Sequence, residues 1–145
     1  MIILAEDAQK ELIDLGFQCW VVTDRELFAP HAGWLPEFWG RIRGRKKPAI
    51  ENARDCDDFA FWARVEASDE NAASGRKLGH TFLICTIGLY ANFNGIDAEA
   101  VSGHATNIVR TSDQGWVFFE PQPGETSDAR RALDSGLVTP RCVWV

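Results

Sequence analysis

One cysteine lies where its thiol could act as a nucleophile. Asp55 is a good N-cap residue and Asp58 falls at the third helical position, so Cys56 is predicted to be the first residue of a helix. The positive end of the helix dipole and the free backbone N–H groups there favour a thiolate and could hold an oxyanion. Asp57 and its two acidic neighbours oppose this by raising the thiol pKa. A cationic histidine close to the sulfur is therefore required.

His104 is the candidate for that histidine, and Glu120 for the acid that orients it. They are predicted on two strands, 104–110 and 115–120, joined by a turn. A hairpin centred on Asp113 places Thr106 opposite Glu120 and His104 opposite Gln122, so these side chains share one face of the sheet. A slip of one residue would separate the histidine from the carboxylate.

The roles that follow are those of a nucleophile, a base and an orienting acid. Cys56 would attack a carbonyl, His104 would take and return protons, and Glu120 would fix the tautomer and orientation of the imidazole. The alternatives are an inert helix-start cysteine, a structural histidine and a surface acid at the end of a strand.

Three blocks in this order resemble the papain-like / bacterial transglutaminase-like cysteine peptidase superfamily, in its Cys-His-Glu type, similar to the protease domain of a mushroom agglutinin. The blocks are Asp55-Cys56-Asp57-Asp58-Phe59-Ala60, Gly103-His104-Ala105 and Phe119-Glu120-Pro121-Gln122. The resemblance covers about residues 50–122. It implies a thiol protease that hydrolyses amide (peptide or isopeptide) bonds through a thioester acyl-enzyme, acting on a peptide or protein substrate.

The supporting residues of such a site are less well defined. Ile50 stands where papain carries its oxyanion glutamine, so Gln122 and Asn52 are the candidates for oxyanion or supporting groups. Trp34 and Trp39 are the candidates for lining a substrate groove. Two alternatives to hydrolysis stay open: a catalytically silent papain-like domain that binds a partner or serves as a structural module, and a protein-glutamine acyltransferase.

No cofactor is required by this chemistry, but the agglutinin-type relatives are calcium-dependent. Asp55, Asp57 and Asp58 could supply oxygen ligands to calcium, and a bound cation would remove the repulsion around the thiol. The remaining cysteines have no metal-ligand spacing and are predicted to be buried thiols; they are Cys19, Cys85 and Cys142.

The pattern along the 145 residues predicts one domain, 1–145, of the α+β class. Helices are predicted over 5–15 and 55–67, short helices and ordered loops over 17–50, and a loop over 69–79. Strands are predicted over 80–90, 98–101, 104–110, 115–120 and 141–145. The expected fold is therefore papain-like/transglutaminase-like, with a helical N-terminal half and the catalytic helix packed on an antiparallel β-sheet.

Composition limits the partners. The net charge of −6 argues against nucleic acid, although residues 41–47 are basic and form either a solvated loop or a docking patch for an acidic partner. No apolar run is long enough to span a membrane, and the N-terminus turns acidic too early for a secretion signal. A cytoplasmic or phage-encoded protein is expected, of unknown oligomeric state.

Overall fold

The computed structural model describes residues 1–20, 25–47, 55–97 and 103–144, with the side chain of Trp20 excepted. Asn52 and the strand predicted over 98–101 lie outside these ranges. The elements are β1 (Ile2–Leu4), α1 (Ala5–Asp14), β2 (Gln18–Trp20), β3 (Glu26–Phe28), α2 (Trp34–Ile42), a 3-10 turn (Arg43–Arg45), α3 (Cys56–Ala73), β4 (Gly79–His80), β5 (Phe82–Leu89), β6 (Gly103–Thr111), β7 (Gly115–Phe119), β8 (Thr126–Asp128), α4 (Ala129–Asp134) and β9 (Val138–Trp144).

A six-stranded sheet in the order β2-β9-β5-β6-β7-β8 forms the centre of the described chain. Its neighbouring strands are antiparallel except β2 and β9, which run parallel. In the β6–β7 hairpin Arg110 pairs with Trp116, which is the register of a turn centred on Asp113. The predicted hairpin register is thus confirmed. A second sheet, β1-β3-β4, is small, and its β3–β4 pair is parallel.

Helices cover both faces of the large sheet. On one face, Ala8 and Leu12 of α1 and Ala129 of α4 pack with Leu83, Ile108 and other core residues of the strands. On the other face, α2 and α3 pack against alternate residues of the same strands, including Phe82, Val109 and Phe119. Almost every residue of β5 is therefore buried, as is typical of a strand covered on both sides.

Helix α3 positions the candidate thiol. Asp55 caps its N-terminus in a capping box with Asp58, which fixes Cys56 as the first helical residue. The helix runs on to Ala73, so the loop predicted over 69–79 is wrong at its start. In the part of the helix beyond residue 67, Glu70 binds Arg41 at 2.8 Å. Just before it, Glu66 binds Arg45 at 2.7 Å, so the basic segment contacts the second half of α3.

The predicted fold class is wrong. The N-terminal half is not a helical layer but carries the strands β1, β2 and β3, and the large sheet is mixed rather than antiparallel. These strands have three residues each, too few to show a period of two, and β2 is formed by pairing with β9 more than 100 residues away. Within the described ranges, no helix is long and apolar enough to cross a membrane.

Candidate functional site

The Cys56 thiol lies half-buried where the start of α3 meets strand β6. The backbone N–H of Ala105 donates to Sγ at a distance of 3.5 Å. The cysteine packs against a small apolar cluster of Ala60, Ile84 and Ala105. These contacts fix the sulfur beside the strand that carries His104, while leaving part of it open to solvent.

His104 and Glu120 form a buried pair. The two residues are 3% and 1% exposed, and His104 Nε2 lies 2.5 Å from Glu120 Oε2. The other carboxylate oxygen accepts the backbone N–H of Gln122 at 3.3 Å. Because Nε2 faces Glu120, the nitrogen left for the cysteine is Nδ1, which is buried and has no nitrogen or oxygen partner at hydrogen-bond geometry within the described chain.

The pKa directions of the thiol and the imidazole favour an ion pair. Interaction with the His104 imidazole lowers the pKa of Cys56 below its ordinary value of 9.0 and outweighs the opposing effects of burial and of the Asp55 charge. Burial alone would lower the pKa of His104, but the Cys56 and Glu120 partners raise it to about 9. The acids at the helix start therefore do not decide the state of the thiol; the histidine does.

A tight turn after β7 holds the Glu120 carboxylate in place. Glu120 N–H donates to the carbonyl of Glu125 at 2.8 Å, and Gly124 N–H donates back to the carbonyl of Glu120 at 2.8 Å. Gly124 has φ +80°, and a Cβ there would lie 2.3 Å from the Trp39 ring. Only glycine fits this position, so Trp39 acts as a wall of the turn that carries the acid.

Lys46 is a residue that the sequence did not single out. Its Nζ donates to the backbone carbonyl of Gln122 at 2.6 Å and lies 5.6 Å and 5.7 Å from the ring centroids of Trp39 and Phe59. It thus links the basic segment to the turn after Glu120. The only signal in the sequence was the run of charges over 41–47. Gln122 supports Glu120 through its backbone.

Trp34 lies away from the thiol. It stacks on Phe38 with ring centroids 4.5 Å apart and meets Phe82 edge-on. It lines a separate pocket together with Phe28 and His80. Of the predicted site residues, Cys56, His104 and Glu120 are therefore brought together, and Trp39 and Gln122 border them.

The residues at the start of α3 make a poor cation site. Within the described ranges, the Asp55, Cys56 and Asp57 ligand atoms lie within 4.8 Å of one another, whereas Asp58 is engaged by the Asp55 N–H at 3.3 Å. A hydrogen bond from Asp57 and the repulsion of nearby carboxylates raise the pKa of Asp55. Calcium takes about six to eight oxygen ligands, so a set that includes a thiol does not fit it.

The other cysteines are unlike Cys56. Cys85 is fully buried, and its burial and the Glu120 charge raise its pKa well above the ordinary value. Cys19 is half-buried, and its burial also raises the thiol pKa. All four thiols are free, and Cys142 is half-buried. Cys56 is therefore the thiol whose surroundings favour the thiolate.

The fold of this chain is similar to part of a lectin of known structure. A structure described as "PSL1a-E64 complex" superposes with a TM-score of 0.76 at 14% identity, over 99% of this chain and 51% of the other. A Polyporus squamosus lectin bound to Neu5Aca2-6Galb1-4GlcNAc gives a TM-score of 0.74 at 14% identity, over 99% and 49%. The chain thus spans about half the length of these structures. No protein-family model and no curated protein matches it.

These findings correct the assignment made from the sequence blocks. The comparisons do not support the resemblance to papain-like and transglutaminase-like peptidases. The similar structures are those of a lectin, and no family model matches. The expected thiol protease activity, the papain-like fold, the catalytically silent papain-like alternative and the protein-glutamine acyltransferase alternative are therefore wrong. The peptide substrate likewise finds no support, and one neighbour holds a carbohydrate.

Proposed function

We propose that the chain is a ligand-binding domain that captures an electrophilic carbonyl group through the Cys56 thiolate. The observation that supports this most directly is the buried His104–Glu120 pair, with its 2.5 Å contact beside a half-exposed sulfur. A buried imidazole held by a carboxylate stays protonated and keeps its neighbouring thiol ionised. The proposal concerns stoichiometric capture by one thiol, without turnover.

The capture step is balanced by the residues at the site. A lone pair of the Cys56 sulfur forms a bond to the carbonyl carbon of an aldehyde, and the π electrons of the C=O bond move to its oxygen. The His104 imidazolium gives its proton to that oxygen. The product is a neutral thiohemiacetal beside a neutral imidazole, whose remaining N–H is held by Glu120. The reverse reaction regenerates the ion pair.

The flanking residues support this arrangement. Trp39 and Gly124 hold the turn that carries Glu120, and the Gln122 backbone N–H binds the second carboxylate oxygen. The Lys46 ammonium lies 5.7 Å from the centroid of the Phe59 ring and binds the Gln122 carbonyl, so it ties the start of α3 to the same turn.

The test is adduct formation followed by intact mass spectrometry and peptide mapping. The probes are iodoacetamide, E64, with which a similar structure forms a complex, and phenylacetaldehyde, which should slow the labelling of Cys56 reversibly if the thiolate captures its carbonyl. Cys56→Ser and His104→Ala are the variants. We expect one adduct, on Cys56, that is lost in Cys56→Ser and slowed at least tenfold in His104→Ala. Labelling spread evenly over the four cysteines would refute the proposal. Multiple turnovers of a peptide substrate would also refute it and restore the hydrolase interpretation.

Carbohydrate binding is the second candidate. It is favoured by the superposition of 99% of the chain on a lectin that is bound to a sialylated trisaccharide. Calorimetric titration with Neu5Aca2-6Galb1-4GlcNAc, and with Galb1-4GlcNAc as control, tests it. Saturable binding of the first sugar that persists in Cys56→Ser would support a separate carbohydrate site. Absence of binding would refute carbohydrate recognition by this chain.

A further inference from the structure

A second pocket lies far from the thiol, at the other end of α3. It has a volume of about 180 Å³ and is lined by the end of α3, the start of α2 and residues of the strands β3, β4 and β5. Asn71 on its wall is fifteen residues along the helix from Cys56, which corresponds to about 22 Å at the α-helical rise. A ligand of this pocket therefore does not touch the Cys56 site.

The walls of the pocket are aromatic. The half-buried rings of Phe28 and Trp34 line it together with the buried ring of Phe82, and Trp34 meets Phe82 edge-on with centroids 6.1 Å apart. A ligand ring among them gains from edge and face contacts. An apolar cavity of about 150 Å³ holds benzene, so a pocket of about 180 Å³ accepts a single six-membered ring.

One cation stands at the rim of the pocket. Arg76 is exposed and lines both this pocket and the depression beside it. Its guanidinium lies 3.9 Å from the centroid of the Phe28 ring, and Nη1 donates to Ser74 Oγ. Among the residues that the structure describes, no carboxylate forms an ion pair with Arg76. The Nε–Nη2 edge of the guanidinium is therefore available to a ligand, next to the aromatic walls.

The other ionisable groups that line the pocket are neutral or already paired. Glu70 is bound by the Arg41 guanidinium through two hydrogen bonds. Burial and the Arg64 charge lower the pKa of His80 to about 3, so its imidazole is neutral at physiological pH. Arg76 thus leaves one uncompensated positive charge at the pocket. A ligand with one negative charge matches it, whereas a dianion would bring an unpaired charge close to Glu70.

From these observations we infer that the pocket binds a small aromatic acid, whose carboxylate is bound by Arg76. The ring of the acid lies among Phe28, Trp34 and Phe82. The planar guanidinium matches the two oxygens of a carboxylate, and its position on the Phe28 ring holds it in place for that contact. This site is independent of the proposed capture at Cys56.

The test compares phenylacetate with two analogues in ligand-observed NMR titrations of the full chain at neutral pH. Phenylacetamide has the same shape without the charge, and cyclohexylacetate has the charge without the aromatic ring. We expect phenylacetate to bind about tenfold more tightly than phenylacetamide, because it gains hydrogen bonds between charged groups. It should bind about threefold more tightly than cyclohexylacetate, because its ring gains aromatic contacts.

Two further readings locate the ligand. The indole N–H signal of Trp34 should shift on binding, whereas that of Trp116, which packs on the opposite face of the large sheet, should not. Arg76→Gln should abolish the preference for phenylacetate over phenylacetamide. Lys77→Gln is the matched control, because it removes an adjacent exposed charge that does not line this pocket, and it should keep the preference. Cys56→Ser should bind phenylacetate with unchanged affinity.

Several results would overturn the inference. Equal affinities of phenylacetate and phenylacetamide would show that no cation binds the carboxylate, and equal affinities of phenylacetate and cyclohexylacetate would show that the walls do not select an aromatic ring. Equal losses in Arg76→Gln and Lys77→Gln would indicate attraction by the general surface charge. Tighter binding of phenyl phosphate would assign the pocket to a dianion. Absence of phenylacetate binding by the folded protein would show that the pocket takes no aromatic acid.

Discussion

Replacing Glu120 with glutamine should remove the charge that keeps His104 protonated while preserving the shape of the side chain. The carboxylate lies 2.5 Å from His104 Nε2 and is 1% exposed, so solvent does not screen it. A hydrogen bond to a charged group contributes about 1.5–3 kcal/mol. Since one pKa unit corresponds to about 1.4 kcal/mol, the pKa of His104 should fall by about one to two units.

The consequence for Cys56 follows from the coupling of the two groups. As the imidazolium is destabilised, the ratio of the thiolate–imidazolium form to the neutral thiol–imidazole form should fall by about ten- to a hundredfold. The assay is the rate of iodoacetamide labelling of Cys56 against pH, followed by peptide mapping because Cys19 and Cys142 are also partly accessible. The labelling pKa should rise toward 9.0, the ordinary value of the thiol.

Glu125→Gln is the matched control. Its side chain is exposed and lies on the same turn, while its backbone carbonyl, which receives the Glu120 N–H, is unaffected by the change. Its labelling profile should equal that of the wild type. The reasoning would be refuted if Glu120→Gln, folded as shown by circular dichroism, kept the wild-type labelling profile, because the carboxylate would then have no part in ionising the thiol.

Three further predictions concern the frame of the site. Gly124→Ala should lower the free energy of unfolding by more than about 2 kcal/mol, since it combines a strained φ of +80° with a Cβ 2.3 Å from Trp39. The control Gly136→Ala, with φ +73° and open space around it, should lower it by only about 1 kcal/mol in chemical denaturation. Equal losses in the two variants would contradict the packing of Trp39 on Gly124. As the pH is lowered from 6.5 to about 3, the free energy of unfolding should fall by up to about 1.4 kcal/mol per pH unit. The reason is that His80 stays neutral in the folded state over this range, while the unfolded chain takes up the proton. The variant His80→Asn should show a smaller slope in chemical denaturation, and an unchanged slope would show that other groups cause it. Added calcium should not change the labelling pKa of Cys56, because a thiol and two carboxylates make a poor calcium site; a drop in that pKa with calcium would revive the predicted ligand role of Asp55, Asp57 and Asp58.

The local parts of the site were predictable because they depend on short-range rules. The N-cap at Asp55 with Asp58 three residues later fixes the start of α3, and the observed capping box follows that pattern. The hairpin register follows from the turn residues around Asp113 and the alternation of side chains. The register places His104 beside Glu120. Cys56 joins them only through the packing of α3 on β6, where the Ala105 N–H donates to its sulfur.

The parts that were missed depend on distant partners. The three-residue strand β2 exists because it pairs with β9. The second half of α3 is contacted by Arg41 and Arg45, which lie 29 and 21 residues before their partners Glu70 and Glu66. Trp34 and Trp39 carry the same side chain, yet one lines the distant pocket and the other supports the Glu120 turn. Motif similarity also misled, because a Cys-His-Glu order identifies a chemistry and not a family.

The most direct test of the central claim is ¹⁵N NMR of the His104 imidazole across the pH range, recorded in the wild type and in Cys56→Ser. If the site is a thiolate–imidazolium pair, both ring nitrogens of His104 are protonated at neutral pH, and the ring titrates at about pH 9. In Cys56→Ser the pKa of the ring should fall, since the thiolate partner is gone. A wild-type His104 that is neutral at pH 7, with a pKa unchanged by removal of the thiol, would contradict the account.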